Sequence, residues 1–84
     1  MITVQFGGRR YVYRERSALV ELIPNLKFQT PEKFYTDGLI MLLNGQVLTP
    51  YDDNGFTIID DNTIQTNFAI TSSFNLKFAY YQKN

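Results

Sequence analysis

The sequence predicts a mainly β domain: a small antiparallel β-sandwich or barrel of about seven short strands. Three observations carry this. Turn signals recur about every 8–12 residues. Apolar and polar residues alternate with the period of a strand. Phe and Tyr together make up 15% of the chain, as suits extended structure.

Ile2, Val4 and Phe6 alternate with Thr3 and Gln5, and Tyr11-Val12-Tyr13-Arg14 resumes the pattern after Gly7-Gly8. Together they read as a hairpin with a Gly-rich loop. Residues 17–26, SALVELIPNL, admit two readings. Ala18, Leu19, Leu22 and Ile23 fall at helical spacing behind Ser17 as a cap, which favours one short helical turn near residues 17–23, ended by Pro24. The other reading is a strand with Leu19, Glu21 and Ile23 on one face. Leu26-Lys27-Phe28 suggests a short strand. Gln29 to Gly38 reads as a loop pinned by Phe34 and Tyr35.

Asn44-Gly45 between two apolar runs is a strong two-residue hairpin signal. Such a turn pairs Leu43 with Gln46, Leu42 with Val47 and Met41 with Leu48. Cross-strand partners share a face, so Met41, Leu43 and Leu48 lie on one side and Ile40, Leu42 and Val47 on the other. Both sides are apolar. One belongs to the core; the other needs residues 17–23, an opposing sheet or another chain to cover it. Pro50 to Gly55 is a polar turn, Phe56 to Ile59 a strand, Asp60-Asp61-Asn62 a tight turn and Thr63 to Thr66 its return. Phe74, Leu76, Phe78 and Tyr80 then alternate with Asn75, Lys77, Ala79 and Tyr81 in a final strand.

Eighty-four residues make a single domain, 1–84, near the lower size at which a chain folds alone. Domains this small commonly need disulfides, a metal or association. There is no Cys and no His, which removes disulfides, thiolate metal sites and the commonest general base. Association is the staple left most open. The start, MITVQFGGRR, lacks the layout of a signal peptide, and no apolar run is long enough to span a membrane. The chain is therefore expected to be made in a cytoplasm, with no membrane insertion. Net charge is zero but segregated: residues 1–30 hold five cations against two anions, and residues 31–84 hold three against six. A near-neutral chain tends to self-associate, and a basic part can meet an acidic part of a neighbour.

Candidate chemistry is sparse. The turns Asp52-Asp53-Asn54-Gly55 and Asp60-Asp61-Asn62 offer oxygen ligands for calcium, but their spacing is not that of an EF-hand, and Asp, Asn and Gly are the ordinary turn residues. Paired carboxylates in polar turns do not make a glycosidase site. Arg9, Arg10, Tyr11, Arg14 and Arg16 form a basic-aromatic run, yet zero net charge is far from the footprint of a nucleic-acid binder. No phosphate loop, nucleophile elbow or zinc spacing occurs. No catalytic, cofactor or metal residue is assigned, and the chain is expected not to be an enzyme.

Phe34, Gly38, the strand to Leu43, Asn44-Gly45, Leu48-Thr49-Pro50, Phe56-Thr57-Ile58, Asn62-Thr63-Ile64 and the strand to Tyr80-Tyr81 follow one another in a recognisable order. This stretch, Phe34 to Tyr81, resembles a small β domain of tailed-bacteriophage virion structural proteins. Their pattern has Gly after the Pro and a shorter turn; here Tyr51 and Asp-Asp-Asn-Gly stand instead, so contacts made through that turn do not carry over. The resemblance implies a non-enzymatic, multi-copy component of a virion, a capsid decoration protein or a neck or tail piece. Its implied partners are other virion subunits or copies of itself, and it would be made in the host bacterial cytoplasm. Contact residues expected at the subunit interface are Arg9, Arg10, Arg14, Arg16, Tyr51, Tyr80 and Tyr81, the Arg and aromatic types that anchor interfaces. The alternative role is a carbohydrate- or receptor-binding β module of a tail fibre, with Tyr rings stacking on sugars. Ile2 to Leu26 also resembles the start of a β-grasp domain, an α+β alternative. Proteins of that kind conjugate through a C-terminal Gly-Gly, whereas this sequence ends Tyr81-Gln82-Lys83-Asn84.

Overall fold

The computed structural model describes residues 9–51 and 53–83. Among the described residues, nine strands form two antiparallel sheets that share one core, with one 3-10 turn between the first two strands. In chain order the strands are β1 (Arg10–Glu15), β2 (Val20–Ile23), β3 (Lys27–Gln29), β4 (Lys33–Phe34), β5 (Ile40–Leu43), β6 (Gln46–Leu48), β7 (Phe56–Asp60), β8 (Thr63–Thr66) and β9 (Leu76–Lys83). The first sheet runs β1-β9-β5-β6, with the two-residue β4 also on β9. The second runs β2-β3-β8-β7. The arrangement is the sandwich-like one expected of alternating strands whose apolar faces can be buried only against each other. The expected strand Ile2–Phe6 and its Gly7-Gly8 loop lie outside the described residues, as does Asp52.

The longest strand, β9, organises the first sheet. Its even-numbered residues Leu76, Phe78 and Tyr80 are buried, and register places Met41 beside Phe78, Leu43 beside Leu76 and Val12 beside Tyr80. From the second sheet Phe28, Ile64 and Phe56 meet them, and the Phe56 and Phe78 rings pack edge to face at 5.5 Å between centroids. The β5–β6 hairpin has the register its turn requires, with Met41, Leu42 and Leu43 opposite Leu48, Val47 and Gln46. Asn44 and Gly45 both have positive φ, as a tight hairpin turn demands.

Two expectations change. Residues 17–23 divide between both readings. The helical part is only a 3-10 turn, Arg16–Ala18, and Val20–Ile23 is strand β2. The Leu19 N–H bonds the Arg16 carbonyl at 3.0 Å, and the chain then extends because β3 offers a ladder partner. Pairing outweighs the weak helical spacing of a four-residue segment. The β-grasp alternative needs an α-helix packed on one sheet, and among the described residues the 3-10 turn is the sole helical element. Nor is there among them a helix long and apolar enough to cross a membrane.

Candidate functional site

Strand parity decides what each sheet shows outward. In the first sheet the odd residues of β1 and β9 and the even residues of β5 face away from the core. Register joins them into rows across the strands: Tyr11 beside Tyr81; Tyr13, Ala79 and Ile40; Glu15, Lys77, Leu42 and Val47. Aromatic and aliphatic side chains dominate these rows. Tyr13 is 62% exposed and Val47 55%, while Ile40, Leu42 and Tyr81 are half-buried. Of the residues 17–23 that the sequence offered as cover, Val20–Ile23 join the other sheet.

One end of the face is braced by packing. The Tyr11 ring meets Tyr81 at 4.6 Å and Tyr13 at 5.6 Å, both edge to face. The Tyr11 hydroxyl donates to the Gly38 carbonyl at 3.0 Å. Gly38 has a φ of 82°, and a Cβ there would lie 2.9 Å from the Tyr81 ring. A glycine therefore meets two demands at once, the left-handed backbone and the close approach of the ring. The Arg9 guanidinium lies 4.3 Å from the Tyr35 ring centroid and pairs with Asp37 at 3.2 Å. The Lys83 ammonium is 5.7 Å from the same Tyr35 ring. At the other end Glu15 and Lys77 pair loosely across strands at 3.9 Å. Burial and the neighbouring Tyr13 and Tyr81 hydroxyls push the Tyr11 phenol up from its ordinary value, so it stays a neutral donor.

The seven expected contact residues fall in different places. Arg9 and Tyr81 lie at the braced end of the outward face. Arg10 is exposed at the start of β1, and Tyr51, 68% exposed, stands in the β6–β7 turn with a φ of 64°. Arg14 and Arg16 are engaged within the chain. Arg14 holds Glu32 through two bonds of 2.9 and 2.6 Å. Arg16 holds Glu21 at 2.9 Å, the Asn25 side chain at 2.8 Å and the Thr71 carbonyl at 2.9 Å, fastening β2 to the loop before β9. Tyr80 is a correction: it was expected at the surface, and it is wholly buried. The alternation of β9 requires this, since Tyr80 shares its face with Leu76 and Phe78.

Tyr80 and Arg14 meet at Glu32. The Tyr80 hydroxyl donates to Glu32 Oε1 at 2.7 Å, and the Thr30 hydroxyl donates to the Glu32 carbonyl at 2.6 Å. The Arg14 guanidinium, aided by the Tyr80 hydroxyl, holds the Glu32 carboxyl below its ordinary range against the opposing cost of burial. Burial, then the Glu32 carboxylate, pushes the Tyr80 phenol well above its ordinary value. These bonds make the cluster a structural plug that ties the β3–β4 connection to the first sheet. Asp60 likewise serves its own turn, accepting from the Asn62 N–H at 3.0 Å.

Tyr13 escaped the sequence reading as a surface residue, and Tyr11 entered it only as part of the basic-aromatic run, although their parity opposite to Val12 was the available signal. Comparison with protein-family models, with curated proteins and with solved structures finds no match.

Proposed function

We propose that this chain is a non-enzymatic assembly protein that binds other subunits of a phage particle through the outward face of its first sheet. The observation that carries the reading is that face itself. Tyr11, Tyr13 and Tyr81 adjoin Ala79, Ile40, Leu42 and Val47 across four strands, and the charges on this face among the described residues are Arg9 and Lys83 toward one end and Glu15 and Lys77 in the row at the other. An apolar centre with a charged rim is the composition of a protein-binding patch. The virion setting rests on the resemblance of Phe34–Tyr81 to the tailed-phage domain. Such a role uses burial of apolar area for affinity and end charges for register.

The test is quantitative mass spectrometry of gradient-purified particles from the source of the sequence. The expected result is this chain at many copies per particle, and its loss from particles when Tyr13 is replaced by Ser. Absence from particles, or specific capture of one glycan by the purified monomer on an array, overturns the reading and favours a receptor-binding module.

A further inference from the structure

Resting on that reading of the face, we infer that its occupant is a second copy of this chain, packed face to face about a two-fold axis that runs across the strands. The argument is charge placement. The outward face has a basic end, where Arg9 and Lys83 flank Tyr35, and an end where Glu15 stands with its side chain 72% exposed. A half-turn about an axis across the strands lays β1 antiparallel on β1 of the other copy. Glu15 of each chain then approaches the Arg9 end of its mate, twice by symmetry. Lys77 approaches an end that holds Asp37 as well as Lys83, so neither end meets a purely like charge. The opposite choice, strands parallel, would lay β1 over β6 of the mate and take Glu15 away from the Arg9 end.

Ala79 is small and buried at the middle of the face, between Tyr13 and Ile40. The same half-turn sets Tyr13 of each copy against Tyr13 of its mate. Four strands of three to eight residues, about 4.8 Å apart, make a face roughly 19 by 17 Å. Two such faces bury roughly 650 Å² in total, the size of a weak, reversible contact. Zero net charge removes the general repulsion between copies. Register is then set by the charged ends and affinity by the tyrosines.

The experiment is sedimentation velocity of the full chain across a concentration series, with three variants. The wild type is expected to pass from monomer to dimer as concentration rises. Tyr13→Ser is expected to remain monomeric with an unchanged far-ultraviolet spectrum. Glu15→Lys and Arg9→Glu are each expected to weaken self-association about tenfold, because each homodimer sets like charges together twice. Mixed in equal amounts, those two chains regain dimer. The lysine introduced in one then meets the glutamate introduced in the other, and the Glu15 and Arg9 that each retains pair as in the wild type. A wild type that stays monomeric up to about 1 mM, a dimer indifferent to Tyr13→Ser, or a mixture that fails to recover overturns the inference. A monomeric chain still found at many copies in particles would overturn the two-fold pairing alone and leave the assembly reading standing.

Discussion

The two sheets are alike inward and unlike outward. Inward, each offers large apolar side chains to one core: Met41, Phe78 and Tyr80 from the first, Phe28, Phe56 and Ile64 from the second. Outward, the second sheet shows Lys27, Gln65 and Thr57 in one row and Gln29 in the next, with its exposed apolar residues on the two edge strands, Val20, Leu22 and Ile23 on β2 and Ile59 on β7. The first sheet carries Ala79, Tyr81, Ile40 and Leu42 on its inner strands, flanked by Tyr11 and Tyr13 on one edge and Val47 on the other. A solvated face of an antiparallel sheet normally alternates to polar residues. The second sheet obeys this on its inner strands β3 and β8, and the first does not on its inner strands β9 and β5. The difference teaches where to look for function: two faces made by the same strand physics have been given different neighbours.

The largest expected effect tests the shared inside. Phe78→Ala and Phe28→Ala should each cost about 3–5 kcal/mol, measured by urea unfolding, because each empties the same core from opposite sheets. A cost under about 1 kcal/mol for either would break the comparison by showing that one sheet does not share the core.

Next comes the plug that ties the β3–β4 connection to the first sheet. Glu32→Ala should cost about 2–3 kcal/mol, since it leaves Arg14 and the Tyr80 hydroxyl without their acceptor. The pH dependence carries a defined sign. Glu32 is held below its ordinary value of 4.5 by Arg14. The unfolded chain therefore takes up a proton first as pH falls. This contribution is complete above about 4.5 and is lost as pH falls through the lower folded value. Tyr80 acts in the opposite direction: its folded value is raised, so its contribution is complete below 10 and is lost as pH rises further. Urea midpoints from pH 7 to pH 2.5 should show a shallower acid limb in Glu32→Ala than in the wild type. Glu21, also lowered, mainly by Arg16, retains part of that limb. An unchanged acid limb would remove Glu32 from this role.

Smaller still is the support of the outward face. Gly38→Ala should cost about 1–2 kcal/mol, through positive φ and displacement of the Tyr81 ring. It should weaken self-association alongside stability, whereas Gly45→Ala, where nothing lies within 4 Å, should cost stability alone. The smallest pair of effects sharpens the comparison most. Tyr13→Ser and Gln65→Ser should each change monomer stability by less than about 1 kcal/mol. Only Tyr13→Ser should abolish concentration-dependent sedimentation. Equal loss from both would mean that the two outward faces do not differ in function.

Much of the first sheet was legible from local rules. The Asn44-Gly45 turn specifies its own register, and the two faces of its hairpin follow from that register. The alternation of residues 74–81 places Tyr80 inward and Tyr81 outward, even though residue type alone suggested both as surface anchors. The second sheet was less legible. Val20–Ile23 has too few residues for a clear period, carries a bulge between Glu21 and Ile23, and becomes a strand only because β3 lies beside it. Arg14 and Glu32 are 18 residues apart, so no local pattern links them. Gly38 reads as a loop boundary until the Tyr81 ring is placed against it.

By itself the sequence determined the β class, a composition with no Cys and no His, and an apolar hairpin with two faces. These depend on composition, on period and on turns, which act within a few residues. Tertiary structure alone decided which of those faces meets the core, that Arg14 and Arg16 are spent inside the chain, and that β1 sets Tyr11 and Tyr13 beside Ile40 and Leu42. Those outcomes depend on which strands lie next to β9, and strand neighbours far apart in sequence are chosen by the packing of the whole core.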